Sequence, residues 1–324
     1  MKKLLTPHII PFRRNNRYYN HELDQPESVI FQTIPSFLAS LKNRSKRRPA
    51  SPEQWVVPLA INPYEQKPTI TWLGHAGFLI QINNVNIVTD PVFGHLSWFF
   101  PHMLEGTLFG KQLPPIDLIL LSHNHPDHTN MRSIKQLTYA AHNTFAVAQG
   151  DKKWISSYKL GNVHEFSWWE QMDIVTEKGS VTITFLPAHH WSARGLFDRN
   201  KSLWGSWMIQ ANGYTIYFGG DTAYWEHFNA IAKEFSVINT ALLPVGPCEP
   251  AAWMQRTHMS PEQAIQAAHD LKSHHFVPMH WGSFAFGMDY FDTPVRRLQS
   301  AWDAKLEPPT LKLDIIRVGQ SYVL

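Results

Sequence analysis

A chain of 324 residues with 44% hydrophobic content can bury a substantial core as one large domain or two small ones. A net charge of +3 is too small to name an electrostatic partner, and the single cysteine, Cys248, excludes an internal disulfide or a thiolate metal cluster and fits a reducing compartment. No run approaches the roughly 18 apolar residues of a membrane span, and Met1-Lys2-Lys3-Leu4-Leu5-Thr6-Pro7 meets proline before a signal-peptide core develops, so the expectation is a globular cytoplasmic protein. Residues 1 to about 65 are studded with proline and read as an arm wrapped on a main body of residues 66–324, with a short helix predicted over Thr33–Leu41. The basic run Lys42-Asn43-Arg44-Ser45-Lys46-Arg47-Arg48 could touch anionic lipid at about 1 kcal/mol per basic residue, or a polynucleotide backbone, but reads first as a solvated loop.

From Thr69 the pattern is a meander of hairpins: Thr69–Leu73, Gly77–Ile82, a turn at Asn84-Val85-Asn86, and Ile87–Asp90. A strand over Asp117–Ser122 follows, then a helix over Met131–Leu137 and a strand over Thr144–Ala148. Further strands are predicted at Val163–Phe166, Val181–Leu186, Ser206–Gln210, Tyr214–Phe218, Ala241–Val245 and Phe276–Met279. Val181-Thr182-Ile183-Thr184-Phe185 alternates as a strand with one face on the core does. Ser260-Pro261-Glu262-Gln263 opens a helix with a capping box and proline at its first position, and Ala264, Ile265, Ala268 and Leu271 mark its buried face. Hairpins first and mixed elements afterwards argue for an α/β chain with two packed sheets and helices outside them.

The chemistry concentrates in Ser122-His123-Asn124-His125-Pro126-Asp127-His128, fed by the apolar strand Leu118-Ile119-Leu120-Leu121. Imidazole and carboxylate suit zinc and its first-row neighbours, and the spacing lets one tight turn face two ions. A lone histidine in a turn is ordinary, but this density directly after a buried strand is not. Candidate partners then recur just past other strand ends: His189 and His190, Asp221 in Phe-Gly-Gly-Asp-Thr, and His280 in Met-His-Trp-Gly. A rigid strand is what fixes a ligand in place. The stretch Leu96–Leu104, rich in Trp and Phe, could form an apolar lip over such a site or pack internally.

Gly74-His75-Ala76, Thr89-Asp90-Pro91, the His123–His128 motif, His190-Trp191, Gly220-Asp221-Thr222 and His280-Trp281-Gly282 together resemble the metallo-β-lactamase superfamily. Leu113-Pro114-Pro115-Ile116-Asp117, Phe166-Ser167-Trp168-Trp169-Glu170, Leu203-Trp204-Gly205-Ser206-Trp207 and Glu249-Pro250 narrow the likeness to the N-acylphosphatidylethanolamine-hydrolysing phospholipase D family and its bacterial relatives. The resemblance implies an αβ/βα sandwich, two mixed β-sheets packed together with helices on the outer faces. It also implies two Zn2+ per chain, with Fe or Mn accepted by the same ligands.

Carried over by motif, His123, His125 and His190 hold one ion and Asp127, His128 and His280 the other, with Asp221 bridging. Choosing His190 over His189 rests on its step before Trp191. Asp127, Asp221 and His258 are the residues implied in catalysis, with His258, just before the capped helix, facing substrate as electrophile or general acid. A helix N-terminus disfavours a second positive charge, so His258 is expected neutral. Asp90 is expected to orient a ligand imidazole; His75 is left without a metal role.

The implied reaction is hydrolysis of N-acylphosphatidylethanolamine or a similar phospholipid to an N-acylethanolamine and phosphatidic acid. Two ions about 3.5–4 Å apart lower the pKa of water and clamp phosphodiester oxygens. The alternatives are a lactonase or small-molecule phosphodiesterase of the same fold, and a non-catalytic metal-stabilised scaffold or sensor. The expected partner is thus a phospholipid or a small phosphodiester or lactone, not nucleic acid. Peripheral contact with the inner face of the membrane and homo-oligomerisation are left open.

Overall fold

The computed structural model describes residues 1–6, 9–22, 24, 49, 51–62, 67–98, 100–104, 110–137, 143–195, 197–304 and 310–324. The helix expected over Thr33–Leu41 and the basic run Lys42–Arg48 lie outside the described residues. Seven strands form one sheet in the spatial order β17 (Ser321–Val323), β4 (Thr69–Gly74), β5 (Gly77–Ile82), β6 (Val85–Thr89), β7 (Leu118–Leu120), β8 (Asn143–Ala148) and β9 (Gly161–Phe166). Eight form the other: β1 (Lys3–Leu4), β10 (Glu170–Val175), β11 (Ser180–Leu186), β12 (Ser206–Ala211), β13 (Tyr214–Phe218), β14 (Ile238–Pro244), β15 (Ser273–Met279) and β16 (Lys312–Leu313). A separate hairpin pairs β2 (Phe12–Arg14) with β3 (Arg17–Tyr19).

Both large sheets are mixed in the same way. Antiparallel hairpins run from β17 to β6 and from β1 to β13, and parallel strands continue from β6 to β9 and from β13 to β16. Parallel neighbours need crossovers, which is where the helices fall. Among the described residues the α-helices are α1 (Met131–Leu137), α2 (Lys152–Ser156), α3 (His227–Glu234), α4 (Ala251–Met254), α5 (Pro261–Asp270) and α6 (Thr293–Asp303). Helix α5 packs on β14 and β15, and α6 packs on α5.

Every residue of β4, β5, β6 and β7 is buried, as strands covered on both faces must be. Trp72, Phe78 and Phe145 from one sheet share a single core with Phe185, Trp207 and Phe218 from the other. At the capped helix the reading from sequence is met: Gln263 N donates to Ser260 Oγ (3.3 Å), Ser260 N donates to Gln263 Oε1 (3.0 Å), and Ala264, Ile265, Ala268 and Leu271 are buried. Two local readings are corrected. The hairpin turn is Asn83-Asn84, not Asn84–Asn86, because both asparagines take the left-handed φ of a two-residue turn (50° and 59°) and free Val85 and Asn86 for β6. The alternation in β11 does not leave a wet face beyond Thr182, since Thr184 is buried and accepts from Gln171 Nε2 on the neighbouring strand (3.1 Å).

Candidate metal centre

The ligand ends of five strands converge. Asp90 follows β6, Ser122 to His128 follow β7, His190 follows β11, Asp221 follows β13 and His280 follows β15. Residues 123–129 close as one tight turn, with His128 N and Thr129 N both donating to the His125 carbonyl (3.0 and 2.8 Å) and Thr129 Oγ1 donating to the His123 carbonyl (2.7 Å). The opposite sheet pins the entry to this turn: Trp207 Nε1 donates to the Leu121 carbonyl (3.1 Å) and Gly205 N to the Ser122 carbonyl (3.0 Å). Gly220 sits at φ +57°, where an added Cβ would stand 2.7 Å from Ser122 Cβ, so glycine is what lets Asp221 approach the turn.

The ligand-type atoms fall into two buried groups. His123, His125, His190 and Asp221 form one; His75, Asp127, His128 and His280 form the other. Asp221 joins them, its Oδ2 lying 3.2 Å from His128 Nε2 and 3.6 Å from His190 Nε2 while its Oδ1 lies 3.0 Å from His280 Nε2. Outward bonds fix the tautomers. His128 Nδ1 donates to Asp90 Oδ2 (2.7 Å), His190 Nδ1 to the Thr257 carbonyl and His280 Nδ1 to the Gly246 carbonyl (2.8 Å each). Ser122 Oγ gives its proton to Asp90 Oδ2 (2.5 Å) and must therefore accept from His123 Nδ1 (2.9 Å).

Each of these four rings consequently turns its Nε2 inward, as a bare lone pair wherever the ring is neutral. His128 and His280 meet Nε2 to Nε2 at 3.1 Å, and His125 Nδ1 lies 2.7 Å from His123 Nε2 and 3.3 Å from His190 Nε2. Two lone pairs at that distance repel unless a proton or a cation stands between them. Nitrogen and oxygen donors converging in this way, with outward partners setting each ring, fit a pair of first-row cations.

The electrostatics agree. Burial, reinforced by the neighbouring imidazoles, holds His123 well below the usual histidine range, and burial lowers His125 to about 4 and His190 and His75 to about 3. These rings are neutral donors. Burial alone would also lower His128 and His280, but the Asp221 and Asp127 carboxylates outweigh it, raising His128 well above its ordinary value and His280 to about 9. Burial would raise Asp127 and Asp221, yet the histidines around them hold both well below the carboxylate range. The pocket therefore calls for positive charge at its centre, and metal binding there displaces protons.

All seven residues read from sequence as ligands are brought together here, and His258 joins them, its Nδ1 3.8 Å from Asp221 Oδ2. The expected neutrality of His258 holds, with its pKa lowered to about 3, but the first cause is burial. Asp90 orients His128 as expected. His189 stands outside both groups with its ring against Trp225, whereas His190 lies in the first. His75, given no metal role from sequence, lies in the second group and holds Asp127 through Nε2 to Oδ2 at 3.0 Å. In the stretch Leu96–Leu104, Trp98 is exposed while His102, Met103 and Leu104 are buried, so its inner end packs and Phe99 lies outside the described residues.

Several positioning residues escaped the sequence. Asn20 pairs with the backbone of His190 twice, donating Nδ2–H to its carbonyl (2.9 Å) and accepting from its amide (3.1 Å). Nothing in Tyr19-Asn20-His21 marks that role. Asp151 accepts from Asn124 Nδ2 (3.0 Å), Ser202 Oγ (2.8 Å) and Trp154 Nε1 (2.7 Å), gripping the motif between its first two histidines. Arg194 Nη1 donates to the Asn124 and Thr129 carbonyls (2.9 and 2.8 Å), closing the turn from the other side. For Asp151 a signal existed, since it follows a predicted strand end as the other site carboxylates do.

Comparison with known proteins places this centre in context. The family model for the β-lactamase superfamily domain matches residues 85–281. The N-acyl-phosphatidylethanolamine-hydrolyzing phospholipase D 1 of Caenorhabditis elegans is 30% identical over 254 residues, covering 72% of this chain and 70% of that protein. The mitochondrial N-acyl-phosphatidylethanolamine-hydrolyzing phospholipase D of Saccharomyces cerevisiae is 34% identical over 239 residues, 71% of this chain but 50% of its own length. Among solved structures, Igni18, a metallo hydrolase of Ignicoccus hospitalis, shares the fold with a TM-score of 0.58 at 22% identity, covering 80% of this chain and 99% of that one. With two mixed sheets and a binuclear His/Asp site at their strand ends, this chain belongs to the metallo-β-lactamase superfamily and is a metal-dependent hydrolase of that fold.

Proposed function

We propose that the chain is a phosphodiesterase of the phospholipase D type, cleaving N-acylphosphatidylethanolamine or a similar phospholipid, with residues 66–324 as the hydrolase domain and residues 1–65 as an arm upon it. The observation that carries this reading is the pair of buried ligand groups joined by Asp221 with His258 beside them. The likeness to the nematode and yeast phospholipases supports the substrate class. In this reading His123, His125 and His190 would hold one ion and Asp127, His128 and His280 the other, with Asp221 shared between the two sets. Zinc suits these ligands best, with iron and manganese as alternatives.

Bound cations would supply a water of lowered pKa and neutralise charge on the phosphoryl oxygens. The chain's own residues do the rest. Asp221 keeps the two ligand groups in register, His75 holds Asp127 at 3.0 Å, and Asp90 holds the His128 ring. His258, neutral with a pKa of about 3, offers an N–H to a phosphoryl or leaving-group oxygen and has no imidazolium proton to give at neutral pH. The test is an assay of metal-quantified protein on vesicles containing N-acylphosphatidylethanolamine, with mass-spectrometric detection of both products. Both products from the wild type and neither from Asp221→Asn is the expected result; a fully metal-loaded wild type yielding neither would overturn the lipid reading.

One observation favours a second reading, a small water-soluble phosphoester or lactone as substrate. The apolar cavity touching His75 and His280, lined by Met103, Trp281 and Phe284, is only about 20 Å³, room for little more than one water. The roomier cavity beside the centre, about 350 Å³, is lined among the described residues by aromatic, amide and charged side chains.

A further inference from the structure

His190 and Asp221 approach to 3.6 Å between Nε2 and Oδ2, yet the strands that deliver them, β11 and β13, are not neighbours, because β12 lies between them. Two strands on either side of a third are about 9–10 Å apart, so the sheet alone does not set this approach. Beyond the strand ends Thr222 closes the gap. Its Oγ1 accepts from His189 N (2.9 Å), and Ala223 N donates to the His189 carbonyl (2.9 Å), so the residues beside the two ligands are tied in both directions. The same hydroxyl gives its one proton to the Ala223 carbonyl (2.8 Å). One lone pair is left for His227, whose Nε2 lies 3.4 Å away and must therefore be the donor.

His227 opens α3 and is fully buried, as is Thr222. Burial holds its pKa well below the usual histidine range, so the ring is neutral. With the proton on Nε2 the bare atom is Nδ1, which has no hydrogen-bond partner among the described residues. An apolar side chain would also pack against Phe228, whose ring centre is 3.9 Å from that of the imidazole. What the imidazole adds is the N–H toward Thr222.

We propose that Thr222, braced by His227, is a positioning residue that sets His190 against Asp221 and thereby the affinity of the first ligand group for its ion. The inference rests on the reading of the site as a metal centre. Asn20 fixes the amide and carbonyl of His190 itself, while Thr222 and Ala223 fix those of the residue before it and reach the segment of the shared carboxylate. Groups that orient ligands in this way are worth about 10–100-fold in metal affinity. His128 and His280 are oriented instead by Asp90 and the Gly246 carbonyl, so the rings of the second group are set independently of Thr222.

The experiment is calorimetric zinc titration of the chelator-treated full chain in two backgrounds: His280→Ala, which leaves the first group to be read, and His125→Ala, which leaves the second. In the first background Thr222→Val, which keeps the volume and removes the hydroxyl, should weaken zinc binding about 10–100-fold, and Thr222→Ser should restore it. In the second background Thr222→Val should titrate like its parent. His227→Gln, which keeps an N–H at similar reach, should match the parent, whereas His227→Leu should lose up to about tenfold in the first group, the worth of one hydrogen bond. Unchanged first-group affinity in Thr222→Val would overturn the proposal, as would an equal loss in Thr222→Ser, since serine restores the hydroxyl but not the methyl. Equal weakening in both backgrounds would overturn it too, by showing general damage to the fold. If Thr222→Val does not fold, Thr222→Ala removes the same acceptor and the comparison with serine still decides. The wild-type titration tests the metal centre separately: fewer than two zinc ions per chain would defeat that reading and this proposal with it, whereas two ions with no effect of Thr222→Val would defeat this proposal alone.

Discussion

The two ligand groups that share Asp221 are built on different electrostatics. In the first, the outward partners of His123 and His190 are a hydroxyl and a backbone carbonyl, and all three imidazoles are held neutral. In the second, His128 leans on the buried carboxylate of Asp90, Asp127 adds another charge, and His128 and His280 are both driven to hold protons. The first group offers lone pairs that are already bare. The second must give up protons before a cation can enter, and in return presents a more negative cradle.

The largest effect should come from the residue the two groups share. Asp221→Asn removes the charge that lets two cations sit together, so bound metal should fall toward one ion per chain and turnover by at least about 10³-fold, the several kcal/mol that metal-ion catalysis supplies. Metal analysis and turnover on one sample check both. Two ions and wild-type turnover in this variant would erase the distinction between the groups.

Asp90→Asn sharpens the comparison, because it touches only the second group. Loss of the carboxylate behind His128 should weaken the second ion by about 10–100-fold while the first stays bound. Stepwise metal titration followed by calorimetry separates the two events. Equal weakening of both would mean that Asp90 acts through Ser122 on the whole turn, since the Ser122 amide also donates to Asp90 Oδ1 (2.8 Å).

Loading should differ in its response to pH as well. His125 and His190 sit near 4 and 3 and His123 well below its ordinary value, so above about pH 5 the first ion displaces no proton from them. His280 is raised from 6.5 to about 9 in the metal-free protein, so the second ion releases protons near neutrality, and its affinity should climb until pH passes about 9. The same shift has a stability consequence. A raised imidazole stabilises the metal-free fold fully below 6.5 and ceases to do so as pH rises through about 9, so chelated protein should lose stability across that window. Indicator-dye proton release and denaturant melts at stepped pH read the two effects; proton release with the first ion alone would reverse the assignment.

The candidate ligand groups were legible from sequence because their residues follow strands whose apolar runs are themselves legible: Leu118–Leu121 announces His123–His128, and Tyr214–Phe218 announces Asp221. What was not legible is contact across large sequence separations. Asn20 reaches His190 over 170 residues, and neither residue's neighbours report the other. Arg194 and Asp151 meet the motif through backbone carbonyls and a side-chain amide, groups every protein has in excess. The strand β10 went unread because Glu170-Gln171-Met172-Asp173 is polar; it lies one strand in from the edge, beside the two-residue β1, where burial asks little of its side chains.

The smallest effect tests that long-range pairing. Asn20→Ala deletes one donor and one acceptor to the His190 backbone and leaves every ligand in place. The cost to stability should be about 1–3 kcal/mol for the partly buried groups left unpaired, and metal loss should be confined to the first group, since His190 belongs to that group alone. Asn20→Asp keeps the acceptor and sets a carboxylate against the His190 carbonyl, so it should do no better than alanine. Denaturant melts of metal-loaded protein give the first quantity and the stepwise titration gives the second. If the second ion were the one released, the N-terminal segment would be acting through Asp221 and not through His190, and the two groups would be coupled more tightly than their separate outward partners imply.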